Sequence, residues 1–295
     1  MGGHNKSEAW QCGRFVFDFN KIKTPLVMGI LNATPDSFSD GGRFSVRDHA
    51  LRHAEAMISS GVGIIDIGGE STRPGAKPVG LQEELDRVLP LIEALHGCGV
   101  ALSIDTYKAQ TMLAALEAGV DCVNDIWAFR LEGSVSAIRE SNCGIILMHM
   151  QCDPLTMQFS PEYENVVAEV KLFLQERCNY LISNGVNLNR IAIDPGFGFG
   201  KNLRHNLEML NRFSEFSEFS EITTLDSKQT LRFPVLAGLS RKSMLGKITG
   251  REVDGRLASS IAAAILAADR GASIIRVHDV SETMDALKVW KAVQS

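Results

Sequence analysis

The chain has 295 residues, 45% of them hydrophobic, which is ample for one large buried core. A formal net charge of −5 excludes a global positive field that would hold nucleic acid or an anionic membrane, so any bound anion must be met by a few local basic groups. The longest apolar stretch, residues 257–268, is shorter than the roughly 18 to 20 residues that span a bilayer, which excludes a transmembrane helix.

Residues 1–9 (MGGHNKSEA) lack the apolar core of a signal peptide, and Lys6 stands where a myristoylation signal needs Ser or Thr. The six cysteines are scattered without a Cys-x-x-Cys pair and read as reduced packing thiols of a cytoplasmic protein. Residues 10–20 (WQCGRFVFDFN) alternate weakly and predict a short N-terminal β-hairpin beneath the structure that follows.

From there one unit recurs: an amphipathic stretch ends in Gly, a short run of β-branched apolar residues follows, and a polar residue closes it. The runs are PLVMGILN (25–32), GVGIIDIGGE (61–70), GVALSIDT (99–106), GVDCVND (119–125), CGIILMHM (143–150), NRIAIDPGFG (189–198), FPVLAGLSRK (233–242) and GASIIRVHD (271–279), eight candidate strands in all. Continuous apolar runs suit parallel strands buried on both faces.

Helical periodicity fills the gaps. Val46, Ala50, Leu51, Ala54 and Ile58 share one face, as do Leu81, Leu85, Val88, Ile92 and Leu95. Val166, Val167, Val170, Phe173, Leu174 and Leu181 form a third such face, and Leu257, Ile261, Ala264, Ile265 and Ala268 a fourth. Gly61, Gly119, Gly185 and Gly271 stand where helix C-caps belong. Eight strand–helix alternations predict an α/β protein, a TIM (β/α)8 barrel with a short N-terminal β-hairpin; a doubly wound sheet is the alternative. With no linker to divide it, the chain reads as one domain over residues 1–295. Residues 214–232 (SEFSEFSEITTLDSKQTLR) are polar and near-repetitive, and read as a solvated surface insertion.

A TIM barrel builds its active site at the C-terminal ends of its strands. Those ends carry Asn32, Thr72, Asp105, Asn124, His149, Asp194, Lys242, Arg276 and His278. Acceptors gather on the middle strands and cationic donors on the last two, which suits a ligand with a flat, donor-bearing head and an anionic tail. Asp105, Asn124 and Asp194 would receive the N–H groups of a 2-amino-4-oxo heterocycle, and Lys242 would donate to its ring carbonyl or a ring nitrogen. Arg276 and His278, two apart on one strand, share a face and would grip a diphosphate. Asn32 offers a neutral oxygen for Mg2+, which takes much of its shell from water and substrate phosphates.

Each residue also has a plainer reading. Strand-end Asp, Asn and His often cap helices or anchor loops. DPGFGFG (194–200) lacks the Walker and Rossmann spacings, so a tight turn explains it better than a phosphate loop. His149 and His278 have no spaced carboxylate partners, which argues against zinc.

Two long blocks narrow the choice. Residues 28–42 (MGILNATPDSFSDGG) and 66–75 (DIGGESTRPG) resemble the signatures of dihydropteroate synthases, and SIDTYK (103–108), NDI (124–126), DPGFGFGK (194–201), LSRKSMLG (239–246) and IIRVHDV (274–280) are similar to that family's further blocks. The resemblance runs from about residue 14 to residue 293. It implies condensation of a (7,8-dihydropterin-6-yl)methyl diphosphate with p-aminobenzoate, releasing diphosphate, and it implies a homodimer. By resemblance, Asn32 binds Mg2+ with the substrate diphosphate, while Asp105, Asn124, Asp194 and Lys242 hold the pterin between apolar walls that include Met148 and Phe199. Arg276 and His278 take the diphosphate and, with Lys242, form the catalytic set; Thr72 lies between the two substrates. Phe38, Thr72, Pro74 and Ser243 form the p-aminobenzoate site, with loops 33–47 and 71–80 closing over the substrates. Ser243, near the start of a helix, stands where backbone N–H groups would meet the aminobenzoate carboxylate. A pterin-binding methyltransferase would not need the diphosphate grip of Arg276, His278 and Asn32, and a catalytically silent pterin-binding homologue would have lost loops or cations that this sequence keeps.

Overall fold

The computed structural model describes residues 9–33, 43–71, 78–151, 161–223 and 228–294. Strands β1 (Ala9–Cys12) and β2 (Phe15–Asp18) form the expected antiparallel hairpin. The chain then alternates: β3 (Leu26–Asn32), α1 (Arg43–Ser59), β4 (Ile64–Gly68), α2 (Leu81–Leu95), β5 (Ala101–Asp105), α3 (Ala109–Glu117), β6 (Cys122–Asp125), α4 (Ser134–Arg139) and β7 (Gly144–Met148). There follow α5 (Val166–Ser183), β8 (Ile191–Asp194), α6 (Leu203–Asn211), a second hairpin of β9 (Glu218–Thr223) and β10 (Lys228–Arg232), β11 (Leu236–Ala237), α7 (Ser243–Thr249), α8 (Leu257–Asp269), β12 (Ile274–Val277) and α9 (Val280–Gln294).

Eight parallel strands pair in the order β11-β12-β3-β4-β5-β6-β7-β8, and the bridge Ile193↔Val235 brings β8 back to the start of β11. This is the TIM barrel that the repeating units predict, and each of the eight runs supplies one strand. The four C-cap glycines adopt left-handed backbone, with φ of 89° at Gly61, 100° at Gly119, 88° at Gly185 and 91° at Gly271. A side chain is strained there, so glycine ends the helix at low cost.

The barrel interior is layered. Met28, Ile64, Ala101, Cys122, Ile146, Ala192, Leu236 and Ile274, one from each strand, pack into a single apolar cluster with Trp10 and Cys12 of the first hairpin. That hairpin plugs the bottom: the Trp10 indole N–H donates to the Arg190 carbonyl at 2.8 Å, and Arg14 grips Asp121 through Nε at 2.9 Å and Nη2 at 2.8 Å. Two residues further along their strands stand Asp66, Ser103, Asn124, Asp194 and Arg276. A polar layer therefore rests on an apolar one, because side chains alternate between the two sides of a strand.

Two expectations need correction. The buried face of α8 is Ser260, Ala263, Ala264, Ala267 and Ala268, while Leu257 lies exposed. Small residues let the helix approach the barrel closely, and its larger side chains turn outward. In the stretch read as a solvated insertion, Phe216 is fully buried and sits edge-on to Phe213, which in turn stacks on Phe197. The insertion is thus rooted in the core before it becomes the β9–β10 hairpin.

Candidate active site at the barrel mouth

The C-terminal ends of β5, β6, β8 and β12 bring Asp105, Asn124, Asp194 and Arg276 together around one cup. Arg276 reaches across it: its Nε donates to Asp66 Oδ2 at 2.6 Å and its Nη2 to Asp105 Oδ2 at 2.7 Å. Asn124 Nδ2 donates to the same Asp66 oxygen at 3.0 Å. Burial and the neighbouring Asp66 push the Asp105 carboxyl up, against the pull of Arg276. Asp105 Oδ1 is buried and bonded to nothing among the described residues, so it stands ready for a donor.

Asp194 accepts the Gly196 N–H at 2.7 Å through Oδ1, and burial raises its pKa. On the loop that follows the neighbouring strand β11, Lys242 Nζ lies 4.2 Å from the centroid of the Phe199 ring. Burial, opposed by Asp194, lowers the lysine to about 8. Phe199 packs in a small apolar cluster with Ile126, Met148 and Met150, flanked by Tyr107 and Trp127. The cup thus has one apolar wall and a floor of acceptors, with two cations at its side.

Loop geometry fixes Phe199. Gly196, Gly198 and Gly200 have φ of 73°, 85° and 64°, so every second residue of DPGFGFG is left-handed. The Lys201 ammonium, 3% exposed as a residue, donates to the Gly196 and Phe199 carbonyls, both at 2.9 Å, and meets His149 Nδ1 at 2.9 Å. That segment is a tight turn tied from within. His149 faces away from the cup, its ring edge-on to Phe173 at 4.9 Å, and burial beside Lys201 drives its pKa well down. Its place among the rim residues is therefore corrected: it follows Met148 on β7, and alternation turns it outward.

His278 shares a hydrogen bond with Ser240, whose Oγ lies 2.9 Å from His278 Nδ1 and accepts the His278 backbone N–H at 3.2 Å. In the tautomer where the Ser240 hydroxyl donates to Nδ1, Nε2 carries the ring proton and can donate. At the root of the β4–α2 loop, Glu70 accepts from Tyr107 at 2.8 Å and from Lys108, which also meets the buried Glu84 at 2.8 Å.

The pterin-binding enzyme family matches residues 28–278. The chain is 45% identical to the dihydropteroate synthase of Haemophilus influenzae over 274 residues, 92% of this chain and 94% of that one. The chain belongs to the dihydropteroate synthase family. These are pterin-binding transferases of folate biosynthesis. Two solved structures of the family superpose closely. The Burkholderia cenocepacia dihydropteroate synthase complexed with 7,8-dihydropteroate has a TM-score of 0.85 at 50% identity, covering 97% of this chain and 96% of that one. The Yersinia pestis dihydropteroate synthase with a sulfonamide drug complex has a TM-score of 0.86 at 42% identity, covering 97% and 99%.

Of the residues singled out from the sequence, Asp105, Asn124, Met148, Asp194, Phe199, Lys242 and Arg276 meet in this one cup. Asn32 and His278 stand at its edge on β3 and just past β12, and Ser243 is exposed as the first residue of α7. Phe38, Thr72 and Pro74 lie outside the described residues. Sequence reasoning passed over Asp66, Ser240 and Lys201. Asp66 carried a signal: a carboxylate between Ile64 and Gly68, in step with residues that alternate inward, has only the barrel interior to face.

Proposed function

We propose that the chain condenses (7,8-dihydropterin-6-yl)methyl diphosphate with p-aminobenzoate to give 7,8-dihydropteroate and diphosphate. The observation that carries this reading is the convergence of three acceptor side chains, Asp105, Asn124 and Asp194, with Lys242 and Arg276 in one cup. A pterin edge presents donors in a plane, and carboxylates bind such an edge with charge-assisted bonds. Met148 and Phe199 are the apolar walls, and Lys242 donates to the ring.

The chemistry needs no protein nucleophile. An arylamine is neutral and nucleophilic near pH 7, so the demanding event is departure of diphosphate from the pterin methylene carbon. The C–O bond breaks, the amine nitrogen forms the new C–N bond, and the amine sheds one proton. Arg276 and His278 meet the charge gathering on the leaving oxygens, the Nε2–H of His278 as a donor and Arg276 through its cationic field. Phe38, Thr72, Pro74 and Ser243 hold the aminobenzoate, as the resemblance implies.

Mg2+ fits the mouth. A Cβ built on Gly68 would lie 3.9 Å from both Asn32 Oδ1 and Asp105 Oδ2, so the missing side chain leaves room between a neutral oxygen and a carboxylate. Asn32 would hold the ion, which when bound neutralises diphosphate charge. A homodimer is favoured by exposed Ile248, Leu257, Leu266, Val289 and Val293 on the adjacent helices α7, α8 and α9. The cytoplasm is the compartment that the five free cysteines among the described residues suit.

The deciding experiment mixes the chain with pterin diphosphate, p-aminobenzoate and Mg2+ and assays dihydropteroate. Absence of product from the folded protein refutes the reading.

A further inference from the structure

Asp66 is a fully buried carboxylate on β4, two residues before Gly68, which is in register with Asp105 and through it with Asn124. Its own register partner is Ser103, so it sits one interior step beneath Asp105, in the layer of side chains that also holds Asn124 and Arg276. One of its oxygens, Oδ2, accepts from both Arg276 Nε at 2.6 Å and Asn124 Nδ2 at 3.0 Å. We propose that Asp66 is a positioning residue for pterin recognition: without touching the substrate, it fixes the polarity of the Asn124 amide and the plane of the Arg276 guanidinium. The proposal rests on the reading of this cup as the pterin pocket.

An Asn side chain has nearly the same shape with its oxygen and nitrogen exchanged, so its own packing hardly decides which atom meets a ligand. A carboxylate offers acceptors only, and the amide must turn its N–H toward Asp66. The amide oxygen is thereby committed to the other direction, where no described residue donates to it. Asn124 becomes an obligatory acceptor, matched to a donor edge and mismatched to a carbonyl. Replacing the carboxylate removes that commitment, because an amide at position 66 can present its own N–H and turn Asn124 around.

Arg276 is held by the same device. With Nε on Asp66 and Nη2 on Asp105, two anchors fix the guanidinium plane. Loss of the first leaves the group free to swing about the second.

The test compares two flat ligands that differ in one group on the recognised edge: 6-carboxypterin, with a 2-amino donor, and 6-carboxylumazine, with a carbonyl there. The full chain is titrated with each by calorimetry. Wild type is expected to favour the pterin, and Asp66→Asn to compress that preference at least fivefold while aminobenzoate KM at saturating pterin diphosphate stays within twofold. Ser103→Ala, a buried change in the register position beside Asp66, is expected to keep the wild-type preference. A merely structural lesion weakens both ligands alike and leaves their ratio intact, so an unchanged ratio in Asp66→Asn overturns the proposal. Should that variant not fold, Asn124→Asp asks the same question with Asp66 in place. The stronger acceptor is expected to bind the pterin at least tenfold more weakly, because it now faces a carboxylate, and equal or tighter binding overturns the proposal. Wild-type protein that makes dihydropteroate yet binds both ligands equally refutes the role of Asp66 alone. Wild-type protein that binds neither and makes no product refutes the pocket itself.

Discussion

Lys242 and Phe199 pack against each other at the side of the cup, the ammonium 4.2 Å from the ring centroid, so that one wall of the pocket is both apolar and cationic. Such a pair is attractive and keeps the lysine over the ring plane. Burial lowers this lysine to about 8 from its ordinary 10.5. A neutral amine gives up the charge-assisted bond to the pterin, so the KM for pterin diphosphate is expected to rise as pH climbs through about 8. Lys242→Arg should move that rise upward, since arginine keeps its proton; a wild-type KM that is flat from about pH 7 to about pH 9.5 is the contrary result.

The same shift governs stability. Between about 8 and about 10.5 the unfolded chain binds a proton at Lys242 that the folded chain does not, so stability increases with pH across that window. Lys242→Met removes this slope. Urea titrations of both proteins at several pH values would compare the two.

Arg276→Ala is expected to harm fold and function together. It leaves Asp66 fully buried with Asn124 as its remaining side-chain donor among the described residues, and breaking a buried ion pair costs about 3–5 kcal/mol. Turnover should fall at least about a hundredfold, and a pterin lacking the diphosphate should also bind more weakly, because Asp105 loses its anchor. Arg276→Lys would restore charge and little else, since one ammonium cannot hold both carboxylates in a plane. Calorimetry showing undiminished binding of the diphosphate-free pterin would confine Arg276 to the leaving group.

Gly196 tolerates no side chain. Its φ is 73°, and a Cβ there would lie 1.9 Å from the His149 carbonyl oxygen. Gly196→Ala is therefore expected to cost about 2–4 kcal/mol, the scale of strained backbone combined with a forced shift. Lys201→Met, which frees the Gly196 and Phe199 carbonyls, should be comparable in denaturant midpoints and should raise the pterin KM by displacing Phe199.

Sulfonamides carry an aniline and a sulfonyl group that copies the aminobenzoate carboxylate, so they should compete with aminobenzoate and leave pterin binding unopposed. Pro74→Ser and Phe38→Leu should raise the drug's inhibition constant more than the aminobenzoate KM, because the drug extends past the substrate's outline. A parallel rise in both constants would mean that these residues stiffen their loops and do not discriminate.

The barrel was legible because its signals are local. Apolar runs closed by polar residues marked each strand, and Gly61, Gly119, Gly185 and Gly271 marked helix ends through a backbone conformation that favours glycine. The site was legible as a set of strand-end residues, but direction was not. Met148 ends β7 and His149 directly follows it, yet the two point to opposite sides, and only the alternation of the chain separates them. Asp66 stands in the middle of β4, two residues before its last residue Gly68, and so is not marked as a strand end. On α8 the large apolar residues suggested the inner face, whereas close approach to the barrel selected alanines. Phe216 looked solvated because its neighbours are polar, and its burial depends on Phe213 and Phe197, contacts that no local pattern encodes.

The barrel closes through a seam. Strand β11 is two residues long, and β8 meets its approach at the bridge Ile193↔Val235. Asp194 directly follows one side of that bridge, and Lys242 stands on the loop that leaves the other. The pterin would be held from both banks of the least-laced joint in the wall, so a bound ligand acts as a clasp. Amide hydrogens along Ile191–Asp194 and residues 235–237 should exchange faster in the empty protein than those of the fully laddered β4 and β5, and slow markedly when a pterin is added.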